Sequence, residues 1–253
     1  MLPIPAIQLN GTGTLGPYWT FYRAVAMAQL TEWLPTRPSV IADVSGGLAE
    51  LRGRWSPQAA AGGHRVLEVH DFRTASSPGY QQLRETSSGV VRRVRADSLA
   101  FLPDACVDAV VAEERALSLE LMTESAVEDI ARILRPGGRL FTCVDSLVLG
   151  MAILAEQHYW AHLRHTQEVM LVPWPDGSIT RCFSAGQLRE LLTEAGLIVE
   201  WIRPRTVLSP SVVDHVLAVD ELALDRLVRT ELDTRQDEDD AIGIHLVASA
   251  RRP

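Results

Sequence analysis

The residues with the most chemical potential fall at four points along the chain. The first is Asp43-Val44-Ser45-Gly46-Gly47-Leu48-Ala49, an acid followed closely by two glycines. A glycine pair at the end of a strand lets backbone N–H groups approach a ligand with no side chain in the way. The second is the end of Val66-Leu67-Glu68-Val69-His70-Asp71, some twenty residues further on. A carboxylate there can accept hydrogen bonds from ribose hydroxyls, and Glu68, His70 and Asp71 compete for the position. The third is Asp97-Ser98, and the fourth Glu113-Glu114. Three histidines, His158, His162 and His165, are spaced to share one face of a helix. Two imidazoles at that spacing suit zinc, but no cysteine or HExxH-type acid completes a site. A solvated or lid-forming face is the reading that remains, with His158 or His162 available to face a substrate.

These points need elements to hold them. Val40–Asp43, His64–Phe72, Val90–Val94, Val107–Ala112, Arg139–Val144, Leu197–Ile202 and Ile242–Ala250 read as strands. Their short apolar runs alternate with helical patterns, which predicts a parallel, doubly wound sheet. Tyr18–Leu34 has the apolar spacing of a helix, with Trp19 and Tyr22 near its start. Ser125-x-x-Glu128 and Ser184-x-x-Gln187 have the form of capping boxes, and Gly196 is placed to end the second of these helices. Leu147–His165 reads as a long helix that a minimal alternation does not require, and Val212–Glu231 as another. Gly11-Thr12-Gly13-Thr14-Leu15-Gly16 matches G-x-G-x-x-G, yet Pro3, Pro5 and Pro17 deny it the flanking strand and helix, so it reads as a loop. In a doubly wound sheet ligands sit at the carboxyl ends of the strands. Asp43 to Gly47, His70-Asp71, Asp97-Ser98 and Glu113 all fall at such ends.

In these residues the chain resembles the class I S-adenosylmethionine-dependent methyltransferases, in particular their small-molecule, natural-product branch. Asp43 to Ala49 is similar to the family's D-x-G-x-G-x-G turn. Ala96-Asp97-Ser98, Leu102-Pro103 and Val107-Asp108-Ala109-Val110-Val111 are similar to its D…LP…FDxV stretch. Arg132-Ile133-Leu134-Arg135-Pro136-Gly137-Gly138-Arg139-Leu140 is similar to its R-x-L-x-P-G-G-x-L block, and Glu194-Ala195-Gly196-Leu197 to a late helix-turn-strand. The resemblance implies a Rossmann-like, mostly parallel seven-stranded sheet with helical caps, in one domain over 1–253. The caps would be an N-terminal lid helix within 1–34 and an insert over 147–182. It implies S-adenosylmethionine as cofactor. Gly46 and Gly47 would meet its methionine part, with Asp43 and Ser45 organising the turn. Asp71, or His70 in its place, would hold the ribose, and Asp97 and Ser98 the adenine. Glu113 would lie near the sulfonium. Ser45 and Ala49 stand where the family has glycine.

The methyl donor is already activated by its sulfonium, so catalysis needs alignment of the nucleophile and removal of its proton. His158, His162 and Glu114 are the candidate bases, and Trp19, Tyr22 and Tyr159 the candidate pocket wall. The expected reaction is O-methylation of a small molecule in secondary metabolism, antibiotic biosynthesis included. N- or C-methylation is the alternative, and a non-catalytic binding protein on a decayed methyltransferase fold the rival of another class. The net charge of −8 argues against nucleic acid as a partner. No apolar run approaches the roughly 18 residues of a membrane span. Cys106, Cys143 and Cys182 are too scattered for a disulfide or metal framework and suit a reducing compartment. A cytoplasmic monomer or homodimer without a metal is the expectation.

Overall fold

The computed structural model describes residues 16–45, 55–70, 82–85, 89–96, 98–160, 169–174, 177–234 and 243–253. Gly46, Gly47, Asp71, Asp97, His162 and His165 therefore lie outside the described residues, and of His70 only the backbone is described. Among the described residues ten strands form one sheet. Seven of them match the expected set: β1 (Val40–Asp43), β2 (Arg65–His70), β4 (Val90–Arg95), β5 (Val107–Ala112), β6 (Leu134–Ser146), β9 (Ile198–Arg205) and β10 (His245–Arg251). Three are additions: β3 (Gln82–Glu85) at one edge, and the hairpin β7 (Met170–Pro173) and β8 (Ile179–Phe183), which joins beside β6. The main order is β3-β4-β2-β1-β5-β6-β10-β9. The pairs β4-β2, β2-β1, β1-β5 and β5-β6 are parallel, and β10 is antiparallel to both β6 and β9. Chain order reverses between β1 and β5, so the crevice for a ligand falls there.

The central strands β1, β5 and β10 and the second half of β6 are buried on both faces, which is why they read as nearly continuous apolar runs. On one face, Ile41, Val66, Val91, Ala109, Val111, Phe141, Cys143 and Val247 meet α1 (Pro17–Trp33) and α2 (Trp55–Ala61). On the other, Ala42, Val110, Ala112, Leu140, Val144, Leu246 and Ala248 meet α3 (Ala116–Leu119), α4 (Thr123–Ile133) and α6 (Ala185–Glu194). Helix α1 also packs on α7 (Pro210–Val219) and α8 (Leu224–Asp233) through Tyr18, Phe21, Val25, Val213 and Leu217. The carboxylate of Glu231 accepts the Val207 and Leu208 N–H groups and fastens α8 to the end of β9. Among the described residues no helix is long and apolar enough to cross a membrane.

The structure corrects several local expectations. Helix α5 (Leu147–Glu156) does not continue to His165. His158 takes a left-handed φ of 62°, its N–H bonds to the Ala155 carbonyl, and the Tyr159 N–H bonds to the Leu154 carbonyl. This is a Schellman stop with histidine where glycine usually stands, so His158 lies beyond the helix rather than on its face. Helix α4 starts at Thr123, ahead of Ser125, and Thr123 donates its hydroxyl to the carbonyls of Leu117 and Glu120. The predicted helix over 212–231 breaks at Asp220, whose carboxylate caps a short turn before α8. Ser184 and Gln187 do form a full capping box, and Gly196, at φ 82°, closes α6.

Candidate functional site

At the switch point, Asp43 ends β1 buried beneath the turn it opens. One carboxylate oxygen accepts the Ser45 N–H at 3.0 Å and the other accepts the Ser56 hydroxyl at 3.1 Å. Burial pushes its pKa up to about 6, against the pull of the Ser45 and Ser56 hydrogen bonds. Ser45 then reaches across the crevice, where its Oγ accepts the Glu113 N–H at 3.0 Å. The Val44 N–H meanwhile bonds to the Val111 carbonyl at 2.9 Å. A serine in place of glycine thus clamps the tips of β1 and β5 together. This arrangement fits a nucleoside cofactor: a satisfied buried acid fixes the start of the turn, and that turn sits at the reversal of strand order.

The carboxylate of Glu113 is committed to a second structure. It is bidentate on Arg205 at 2.6 and 3.0 Å, and Arg205 is fully buried. Arg205 Nε donates to Gln29 Oε1 at 2.7 Å, and the guanidinium lies 5.5 Å from the Tyr22 ring. Burial works against the Arg205 charge, but Glu113 more than restores it and the pKa stays above its ordinary value. The sequence expectation put Glu113 near the sulfonium; in the structure its carboxylate is paired with Arg205 of β9.

Strand register explains the rest. Arg205, His245 and Asp145 are neighbours across β9, β10 and β6, so their side chains share one face of the sheet. They form a polar row at the carboxyl edge, below α1, above the apolar rows of Cys143–Val247 and Phe141. His245 Nε2 is 3.3 Å from Asp145 Oδ1, and Arg115 Nε is 2.7 Å from that same oxygen. Tyr22 stands edge-on to the imidazole, with ring centres 5.4 Å apart. The Arg115 guanidinium lies 4.5 Å from the Trp174 ring, and Trp174 is itself held by a bond to Thr180. Burial opposes the Asp145 charge, but His245 and Arg115 together hold its pKa below the ordinary carboxylate range. Burial pushes His245 below its usual value, with Asp145 resisting, so the imidazole is neutral near pH 7. Burial also raises Tyr22, and takes Cys143 up to about 12. Two consecutive residues, Glu114 and Arg115, hold left-handed φ values of 55° and 66°. Strain of that kind in non-glycine residues collects at working sites.

Among the other sequence candidates, Glu114 donates its N–H to the Glu113 carboxylate. Ser98 is exposed, and its Oγ accepts the Ala100 N–H at 3.4 Å. Trp19 lies edge-on to Tyr22 at 5.3 Å, so the structure brings these two pocket candidates together. Tyr159 and His158 are exposed beyond α5, where the His158 ring lies 6.0 Å from Trp160. Sequence reasoning did not find Arg205, His245, Asp145 or Arg115. The alternation His245-Leu246-Val247 was the one signal for His245, since it places a polar residue at a strand tip.

Residues 52–142 match the methyltransferase domain family. No curated protein sequence matches the chain. Several solved structures share the fold at low identity. A SAM-dependent methyltransferase from Methanosarcina mazei is 17% identical, with a TM-score of 0.55 over 88% of this chain and 96% of that one. The 1,6-didemethyltoxoflavin-N1-methyltransferase of Burkholderia thailandensis, with bound 1,6-didemethyltoxoflavin and S-adenosylhomocysteine, is 20% identical; its TM-score is 0.55 over 92% of this chain and 80% of that one. The [4+2]-cyclase SpnF is 17% identical, with a TM-score of 0.53 over the same shares. Residues 52–142 thus match a methyltransferase domain, and the chain shares its fold with solved methyltransferases.

Proposed function

We propose that the enzyme methylates a small planar molecule, most simply on a hydroxyl oxygen, as a step of secondary metabolism in the cytoplasm. The observation that carries this reading is the polar row below α1. Arg205 with Glu113, and Arg115 with Asp145, pair two cations with two carboxylates, so the row is balanced in charge. A charge-balanced wall bounded by Tyr22 and Trp174 favours an uncharged aromatic acceptor over a phosphate or a nucleic acid. The toxoflavin methyltransferase, which holds a flat heterocycle, supports the same class of acceptor. That enzyme methylates nitrogen, and N-methylation is the second reading for this chain.

When bound, S-adenosylmethionine supplies an electrophilic methyl group. Asp43 and Ser45 fix the turn that would receive it. Gly46 and Gly47 would line that turn, and His70 or Asp71 with Asp97 and Ser98 would hold the nucleoside. Helix α1, with Trp19 and Tyr22, would exclude water from the acceptor side, together with the insert over 147–182. The chain is read as one methyltransferase domain, acting as a monomer or homodimer. Calorimetric titration with S-adenosylhomocysteine, then assay of its release from S-adenosylmethionine across planar phenols and heterocyclic amines, tests the proposal. Binding of the nucleoside with turnover of phenols is expected. No binding at millimolar concentration removes the reading, and turnover of amines alone moves it to nitrogen.

A further inference from the structure

Asp145 and His245 form a pair whose chemistry the fold alone does not require. Asp145 is fully buried and His245 nearly so. Nε2 of the imidazole stands 3.3 Å from Asp145 Oδ1, an ion-pair contact outside hydrogen-bond geometry, and Nδ1, like both Asp145 oxygens, is buried with no hydrogen-bond partner among the described residues. A buried ring nitrogen without a partner is a cost that a packed core does not normally carry. The cost has a purpose if the nitrogen is meant for a ligand.

We propose that His245 is the proton acceptor of this enzyme, with Asp145 as its positioning residue, and that the substrate atom it serves is a phenolic or enolic hydroxyl on a planar ring. This rests on the methyltransferase reading. Asp145 selects the tautomer with hydrogen on Nε2, which leaves the Nδ1 lone pair free. Arg115 meets the same carboxylate oxygen at 2.7 Å and, with His245, keeps the acid ionised. In the step, the hydroxyl proton passes to Nδ1 as the oxygen forms its bond to the methyl carbon. The carbon–sulfur bond breaks with its electron pair going to sulfur. The products are a methyl ether, S-adenosylhomocysteine and an imidazolium whose charge Asp145 faces. That proton leaves to solvent after release. An amine acceptor in its neutral form has a lone pair already and does not need such a base, which is why the pair points to oxygen.

The groups facing His245 are Asp145 from β6, Arg205 from β9, Arg115 from the turn after β5 and Tyr22 from α1, with Glu113 behind Arg205. Burial favours the neutral ring most, Asp145 favours the charged one, and Arg115 and Arg205 add to the side of the neutral ring. The neutral base is therefore present near pH 7, and the expected rate rises from acid towards neutrality.

The test uses the full chain labelled with ¹⁵N-histidine, loaded with S-adenosylhomocysteine and probed with 4-nitrocatechol. In the nitrogen spectrum, His245 is expected as the neutral Nε2–H tautomer, and Asp145→Asn is expected to lose that preference. Bound 4-nitrocatechol is expected to show the absorbance of its ionised form at least about one pH unit below its value in water, and His245→Gln to abolish the shift. A wild-type imidazole with its proton on Nδ1 overturns the proposal without any variant needing to fold. So does 4-nitrocatechol that fails to bind at millimolar concentration, or binds with no shift. If the wild type does not bind S-adenosylhomocysteine, the methyltransferase reading has failed instead, and the calorimetric step reports this separately.

Discussion

At the scale of single residues, the decisive group is Arg205. Its guanidinium has no exposed surface and is matched by one carboxylate, one amide oxygen and an aromatic ring. Arg205→Met would strand Glu113 as a buried charge, a loss of about 3–5 kcal/mol. Adding Glu113→Gln to that variant should recover part of it, because no uncompensated charge then remains. Urea unfolding of the two single variants and the double variant checks this. Asp43 gives a second residue-level outcome. Its folded pKa of about 6 lies above the ordinary 3.8, so its contribution to stability is present below about pH 4 and is lost as pH rises through 6. Each pH unit of displacement corresponds to about 1.4 kcal/mol, so the cofactor-free wild type should gain on the order of 3 kcal/mol relative to Asp43→Asn between pH 7 and pH 4. Thermal midpoints of both proteins across that range decide it. An unchanged difference would mean that Asp43 is not buried as a carboxylate.

The element that holds the row in register is the start of β10. Gly243 lies against β9 so closely that an added Cβ would sit 2.8 Å from the Arg205 carbonyl oxygen and 2.8 Å from the Pro204 side chain. Its own carbonyl accepts the Ser146 hydroxyl, which also caps α5. Gly243→Ala must push β10 away from β9, two residues before His245. A cost of about 1–3 kcal/mol is expected for such overpacking. For a chain of this size that is a fall in thermal midpoint of roughly 2–12 °C, measurable by differential scanning calorimetry. The contrast between elements also shows what the sequence could convey. The strand tips at Asp43 and Glu113 were legible because buried parallel strands are uninterrupted apolar runs with an abrupt polar end. His245 and Arg205 were not, because neither belongs to a local motif. Each acquires its neighbours from antiparallel pairing across strands whose order the sequence does not state. The end of α5 was hidden for another reason: its apolar pattern continues up to a residue that stops the helix by taking a left-handed φ without being glycine. Strand β3 (Gln82-Leu83-Arg84-Glu85) has too little apolar content to stand out.

Across the whole molecule, the block most similar to the family serves the edge away from the site. Arg135 pairs with Asp108, which in turn accepts the Val40 N–H at 2.7 Å. Arg132 binds the carbonyls of Leu99 and Leu102 and the carboxylates of Asp104 and Asp129. These contacts tie the amino ends of β1, β5 and β6 together, so the motif reports architecture while the reacting groups sit at the opposite edge. Arg132→Ala should lower stability by about 1–3 kcal/mol, since two backbone carbonyls lose a charged donor. It should leave the affinity for S-adenosylhomocysteine within about twofold, because the change lies at the far end of the strands. Denaturant midpoints and calorimetry measure the two effects.

The placement of β10 between β6 and β9 has a consequence for how the protein is made. The ribosome delivers β6 and β9 well before β10, and the gap between them must stay open until the later strand arrives. During that interval both flanking strands present unpaired backbone edges, and the Asp145 and Arg205 charges lie on them without their shared neighbour. Such edges recruit other strands. Synthesis of this protein therefore has a vulnerable window that closes with the insertion of a single strand. The nascent chain is expected to bind chaperones most strongly after Arg205 has emerged and before His245 has.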